Sequence, residues 1–92
     1  MIIQNVNNTV KDGKKNDYIV QAKLFVDDLK KVTGCMDAGV FDEEKDNTVQ
    51  IISIWNNEEA MNSKEAGNVF LSHKAQLKPN FISNTTNVSK SI

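Results

Sequence analysis

The amino-acid sequence predicts an α+β domain in which a four-stranded antiparallel sheet carries two helices on one face. Three observations predict it. A period of two over Ile2–Val10 gives way, after Gly13, to a period near that of a helix. Residues 48–55, Thr-Val-Gln-Ile-Ile-Ser-Ile-Trp, are mostly β-branched, the composition of a strand inside a sheet. The order that results is strand, helix, strand, strand, helix, strand, the ferredoxin-like βαββαβ plan.

Each element is set by its residues. Ile2, Gln4, Val6, Asn8 and Val10 alternate with Ile3, Asn5, Asn7 and Thr9, and Lys11-Asp12-Gly13 breaks this first strand. From about Lys14, the residues Tyr18, Ala22, Phe25, Leu29 and Val32 recur three and four apart, one apolar stripe of a helix whose wet side carries Lys23 and Asp27. Thr33-Gly34 is expected to stop that helix with a left-handed cap. Cys35–Phe41 reads as a second strand and residues 42–47 as a charged hairpin turn. The third strand, Thr48–Trp55, has Val49, Ile51 and Trp55 on one face and Ile52 and Ile54 on the other, so something must cover each side. Asn56-Asn57-Glu58-Glu59 reads as a helix start with Asn56 as its cap, Ala60, Met61 and the next residues continue that helix, and Gly67 is expected to kink or divide it. Val69, Phe70, His73 and Leu77 continue that stretch until Pro79, and Phe81–Val88 can alternate as a last strand.

Composition narrows the function. The 92 residues suit one domain, 1–92, and the 11 cations, all lysine, nearly balance 12 acids. Without arginine the chain lacks the bidentate forks that grip phosphates and guanines, so no nucleic-acid partner is expected. The apolar runs are far too short to span a membrane, and the first residues lack the plan of a secretory leader. A lone Cys35 fits a reducing, cytoplasmic setting, where a small buried side chain outweighs a nucleophile. No metal-ligand spacing, phosphate loop or dinucleotide fingerprint occurs, so no metal and no cofactor is expected. Glu58 and Glu59 read as charges that suit a helix start, and Asp27 and Asp28 as a solvated face. The sheet face left bare by the helices still carries apolar side chains, which predicts a homodimer packed sheet to sheet.

Two segments carry a family resemblance. Val10-Lys-Asp-Gly-Lys before a helix, with Thr33-Gly34-Cys-Met after it, resembles the opening of antibiotic biosynthesis monooxygenase (ABM) domains. Val49-Gln-Ile-Ile-Ser-Ile-Trp55-Asn-Asn-Glu-Glu-Ala60-Met61 is similar to the same family's strand ending in tryptophan, and Asn68-Val69-Phe70 with His73 to the helix beyond. The likeness spans residues 2 to 88 and implies a dimeric α+β barrel with a pocket in each subunit between the sheet and its own helices. The family holds cofactor-free oxygenases of polycyclic phenols or quinols, and haem-degrading enzymes.

The resemblance implies a site around Trp55, whose flat face can stack on an aromatic ligand while its N–H offers a hydrogen bond. His73 is the sole histidine and so a candidate for proton transfer at neutral pH. Asn7, with His73 and Trp55, completes the candidate catalytic set; Asn5, Met61 and Phe70 join Trp55 as candidate ligand contacts. The haem-ligand position of the family falls on Lys74, one residue past His73, and its second tryptophan on Lys64, so haem markers are weak. The tyrosine positions of the phenol-oxidising branch hold Val40 and Met61. The function expected is a cofactor-independent monooxygenase acting on an aromatic or quinol-type molecule. The alternatives are a non-catalytic dimeric module that binds a small apolar ligand or serves an assembly, and haem binding.

Overall fold

The structure, a computed structural model, describes residues 1–44 and 46–92. The hairpin residue Lys45, part of the charged turn expected at 42–47, lies outside the described residues. Strand β1 (Ile2–Val10) leads to helix α1 (Lys15–Leu29), the hairpin of β2 (Cys35–Glu43) and β3 (Thr48–Trp55), a single helical turn α2 (Glu58–Met61), helix α3 (Lys64–Leu77) and strand β4 (Phe81–Lys90). The four strands form one antiparallel sheet in the order β2-β3-β1-β4. This is the α+β, ferredoxin-like arrangement, with the two central strands β1 and β3 joined from Ile2↔Trp55 to Thr9↔Thr48.

The predicted stripe of α1 is the core. Tyr18, Ala22, Phe25 and Leu29, together with Val26, are buried. Val32, beyond the helix, is buried with them. They meet the even-numbered side chains of β1 and the odd-numbered ones of β3, because side chains alternate across a strand. Ile2 and Val10 and the trio Val49, Ile51 and Trp55 are buried there. Each large side chain so buried contributes on the order of 1.5–3 kcal/mol.

Several boundaries differ from the sequence expectation. Helix α1 ends at Leu29, not at Thr33-Gly34, and a four-residue loop intervenes before Gly34 turns at φ 85° into β2. Asn57 rather than Asn56 caps α2, its side chain accepting from the Ala60 N–H at 2.9 Å. Gly67 does not divide the second helix. The break falls at Asn62-Ser63, where the Ser63 hydroxyl accepts from the Ala66 N–H and starts α3 afresh, a local cap overriding a weak helix former. Strands β2 and β4 run two residues past Phe41 and Val88, because each ladder continues to pair with a neighbour there.

Candidate functional site

Trp55 ends β3 at the point where the chain turns from the sheet into α2, and it is 1% exposed. Its indole N–H donates to the Ser53 hydroxyl oxygen at 2.8 Å. Residues 53 and 55 share a face of the strand, so this bond runs along the floor of the space beneath the helices. A cavity of about 310 Å³ opens there, walled by Trp55, Tyr18, Phe25 and Ile51 and lipped by Met61 and Phe70. A second hollow of about 300 Å³ adjoins it, sharing Asn8, Tyr18 and Phe70 and ending at Lys74 and Lys78. Apolar walls with a few polar groups are the usual make-up of a small-molecule site.

The structure places Trp55, Met61 and Phe70 on the lining of this cavity and leaves three other candidates outside it. Asn5 and Asn7 project from the opposite face of the sheet, since odd-numbered residues of β1 point away from the helices. Asn7 accepts a hydrogen bond from Gln50 at 2.9 Å on that open face. His73 is absent from the lining of both hollows. Its Nε2 lies 2.6 Å from the Asp28 carboxylate, and its ring meets Phe25 edge-on at 5.7 Å, so it ties α3 to α1. The Trp55 N–H is likewise engaged by Ser53 rather than offered to a ligand.

The His73 hydrogen bond, with Lys31 beside it, holds the Asp28 carboxyl below its ordinary range against a smaller opposing effect of desolvation. A carboxyl depressed on folding adds stability above its unfolded pKa and loses it as pH falls through the folded value. Asp28→Asn is therefore expected to lower the thermal midpoint at pH 7, with the gap to the parent closing below about pH 4. Melting curves at both pH values check this; a gap that widens in acid would count against the clamp.

The cavity also holds six polar groups that the sequence does not mark as site residues: Gln4, Asn8, Tyr18 and Ser53, with Asn84 and Thr86 on β4. Burial pushes the Tyr18 phenol up to about 12, so it stays neutral and protonated. Asn8 is 3% exposed and Ser53 2%. The signal that could have found them is present in the strands. Gln4, Asn8 and Ser53 are polar on the face that otherwise carries the apolar set, Ile2, Val6 and Val10 in β1 or Val49, Ile51 and Trp55 in β3. The Cys35 thiol donates to the Asp37 carbonyl at 3.5 Å, and burial raises its pKa, which disfavours a thiolate nucleophile.

Comparison with known proteins places this geometry. The model of the antibiotic biosynthesis monooxygenase family matches residues 1–75. The chain belongs to that family. No functionally curated protein matches the ABM chain. Among solved structures, it resembles a Mycobacterium tuberculosis protein with a TM-score of 0.83 at 8% identity, over 99% of this chain and 94% of that one. SnoaB, a cofactor-independent oxygenase from Streptomyces nogalater, superposes with a TM-score of 0.78 at 18% identity, over 99% and 93%. A conserved protein of Methanosarcina mazei gives 0.72 at 20% identity, over 100% and 94%. At such identities these structures establish the fold.

The ABM fold has haem-degrading members, and the residues here do not fit that group. The single imidazole is held by Asp28 and faces neither hollow, while the next position, Lys74, offers an ammonium. Among the described residues, no three His, Cys, Asp or Glu side chains converge as metal ligands, and no helix is long and apolar enough to cross a membrane.

Proposed function

We propose that residues 1–92 form one ABM domain that uses molecular oxygen, without a cofactor, on an aromatic quinol- or anthrone-type molecule held against Trp55. The observation that carries this reading is the cavity of about 310 Å³, mostly apolar in its walls, with its polar groups on the sheet floor apart from the Tyr18 phenol of α1. Among the described residues no charged side chain lines it, and the one ionisable group that does, Tyr18, is held in the neutral form. A substrate there must lose its proton by its own acidity. Anthrone-like methylene carbons do so, because the carbanion is delocalised as a phenolate. The carbanion carbon then bonds to oxygen and, with one proton, gives a hydroperoxide; loss of water leaves a ketone. One oxygen atom ends in the carbonyl and the other in water, with the two methylene hydrogens. The protein contributes a dry, shaped space in which that anion and oxygen meet.

Gly67 supplies the test. It lies on the cavity rim, and a Cβ built there meets nothing within 4 Å. Gly67→Phe is expected to fold and to grow a ring over the mouth. Oxygen consumption with anthrone and substituted hydroquinones should exceed autoxidation for the parent chain, and kcat/KM should fall about 100-fold in Gly67→Phe. Uptake that the substitution leaves unchanged would sink the oxygenase reading.

The partner proposed is a second copy of the chain, sheet against sheet, in a cytoplasmic setting. The open face carries Ile3 and Phe41, both more than 40% exposed, beside Ile52 and Ile54. It also holds the Asn5 Oδ1, shut off from water with no donor among the described residues. Such an atom is costly until a donor arrives, and a facing sheet can supply one. Sedimentation is expected to give a species of about twice the 10.3 kDa chain mass at micromolar concentration. Ile52→Asp should halve that mass, and a parent chain that already sediments as a monomer refutes the dimer.

A further inference from the structure

Two buried polar groups on the cavity floor have unused hydrogen-bonding capacity of opposite kinds. The Asn8 side-chain nitrogen donates to the Val6 and Val49 carbonyls, each at 3.2 Å. Two carbonyl acceptors can be met only by the NH2 end of the amide, so the orientation is fixed and Oδ1 is left as an acceptor. No donor among the described residues reaches it, and Asn8 is on the lining of both hollows. Ser53 is the complement. Its oxygen already accepts the Trp55 N–H, which leaves the hydroxyl hydrogen to be given away, and no acceptor among the described residues takes it.

The register sets the spacing between them. Ser53 stands opposite Gln4, four residues before Asn8 on the same face of β1. Four residues of antiparallel strand are about 13 Å. Allowing about 2.8 Å for each hydrogen bond leaves on the order of 8 Å between the ligand atoms that would meet them. Val6 and Ile51 stand between Asn8 and Ser53 on the floor and Tyr18 and Phe25 line the same cavity, so the body of the ligand is flat and mostly apolar, with Gln4, Asn84 and Thr86 as further polar groups of the lining.

We infer that Asn8 and Ser53 are a specificity-determining pair, which orients an elongated fused-ring ligand with a hydroxyl donor at one end and an oxygen acceptor at the other. The acceptor end sits beside Trp55. A ligand that arrives ionised places its phenolate oxygen on the Ser53 hydroxyl, which the Trp55 N–H polarises. Both groups are at least 97% buried, so a ligand lacking either complement strands a desolvated polar atom. The inference rests on the cavity being the ligand site, as proposed above, but it needs no oxygen chemistry.

The test reads binding alone. Trp55 is the sole tryptophan, so quenching of its fluorescence reports occupancy directly. The probes are 2,6-dihydroxyanthraquinone, its dimethyl ether, which has no donor, and 2-hydroxyanthraquinone, which lacks the far oxygen. The parent chain is expected to bind the dihydroxy compound about tenfold more tightly than either analogue. Asn8→Leu should erase the preference over the dimethyl ether, and Ser53→Ala the preference over the monohydroxy compound. Should Asn8→Leu fail to fold, the parent's own ranking and Ser53→Ala still decide. Three probes bound within about twofold, or none bound, overturns the inference. Discrimination without oxygen uptake upholds it while the oxygenase reading falls.

Discussion

Trp55→Ala is expected to cost about 3–5 kcal/mol of folding stability, the largest effect of any single truncation in the chain. The indole is 1% exposed, the largest of the fully buried side chains, and it closes the core where β3 turns toward α2. Its loss opens a void that the sheet on one side and α1 on the other cannot collapse to fill, because both are pinned by their own ladders and stripe. A domain of this size has a total stability of about 5–15 kcal/mol, so the variant stands near its unfolding threshold. Trp55→Phe separates shape from hydrogen bonding. It keeps most of the volume and deletes the N–H that Ser53 accepts, and it should cost about 1–3 kcal/mol. Urea unfolding followed by far-UV circular dichroism measures both. Were Trp55→Ala to shift the free energy by less than about 1 kcal/mol, the tryptophan would not be the keystone the packing makes it.

The same residue shows what a sequence can reveal. The fold was readable because its signals are local periodicities: alternation in β1, the three-four spacing of Tyr18 to Val32, and the β-branched run of β3. The candidate site is readable only in part. Trp55, Met61 and Phe70 lie in or beside segments with a family likeness, and all three meet at the cavity. Residue type alone points Asn5 and Asn7 toward a polar site, whereas the pleat of β1 sends them to the other face. The chemistry of His73 suits a site, yet the neighbour that claims it, Asp28, is 45 residues away in sequence. Nothing along the chain announces such a pairing. Asn8 and Ser53 escape a sequence reading for the opposite reason. They interrupt apolar faces, and a polar residue inside an apolar set carries information only once the face is known to border a hollow.

Gly34→Ala is expected to be the second most damaging small change, at about 2–5 kcal/mol, for two separable reasons. The backbone at Gly34 has φ 85°, a left-handed conformation that a Cβ disfavours by about 1–2 kcal/mol. A Cβ there would also overlap the Ala60 side chain, adding an overpacking cost of about 1–3 kcal/mol. Gly13 isolates the first effect, since it has φ 75° and a Cβ on it meets nothing within 4 Å. Gly13→Ala should therefore show the backbone cost alone. Ala60→Gly combined with Gly34→Ala should recover the steric part and leave the backbone part, a coupling that a double-mutant cycle reads directly. Additive effects would mean that α2 yields freely to the intruding methyl group. The consequence reaches the cavity. The Gly34 carbonyl accepts the Asn56 N–H at 2.9 Å, so the close approach of Gly34 to Ala60 anchors the segment that presents Met61 at the cavity's edge. A ligand bound there should lose affinity in Gly34→Ala and regain it when Ala60 is reduced to glycine, because the lip moves with α2.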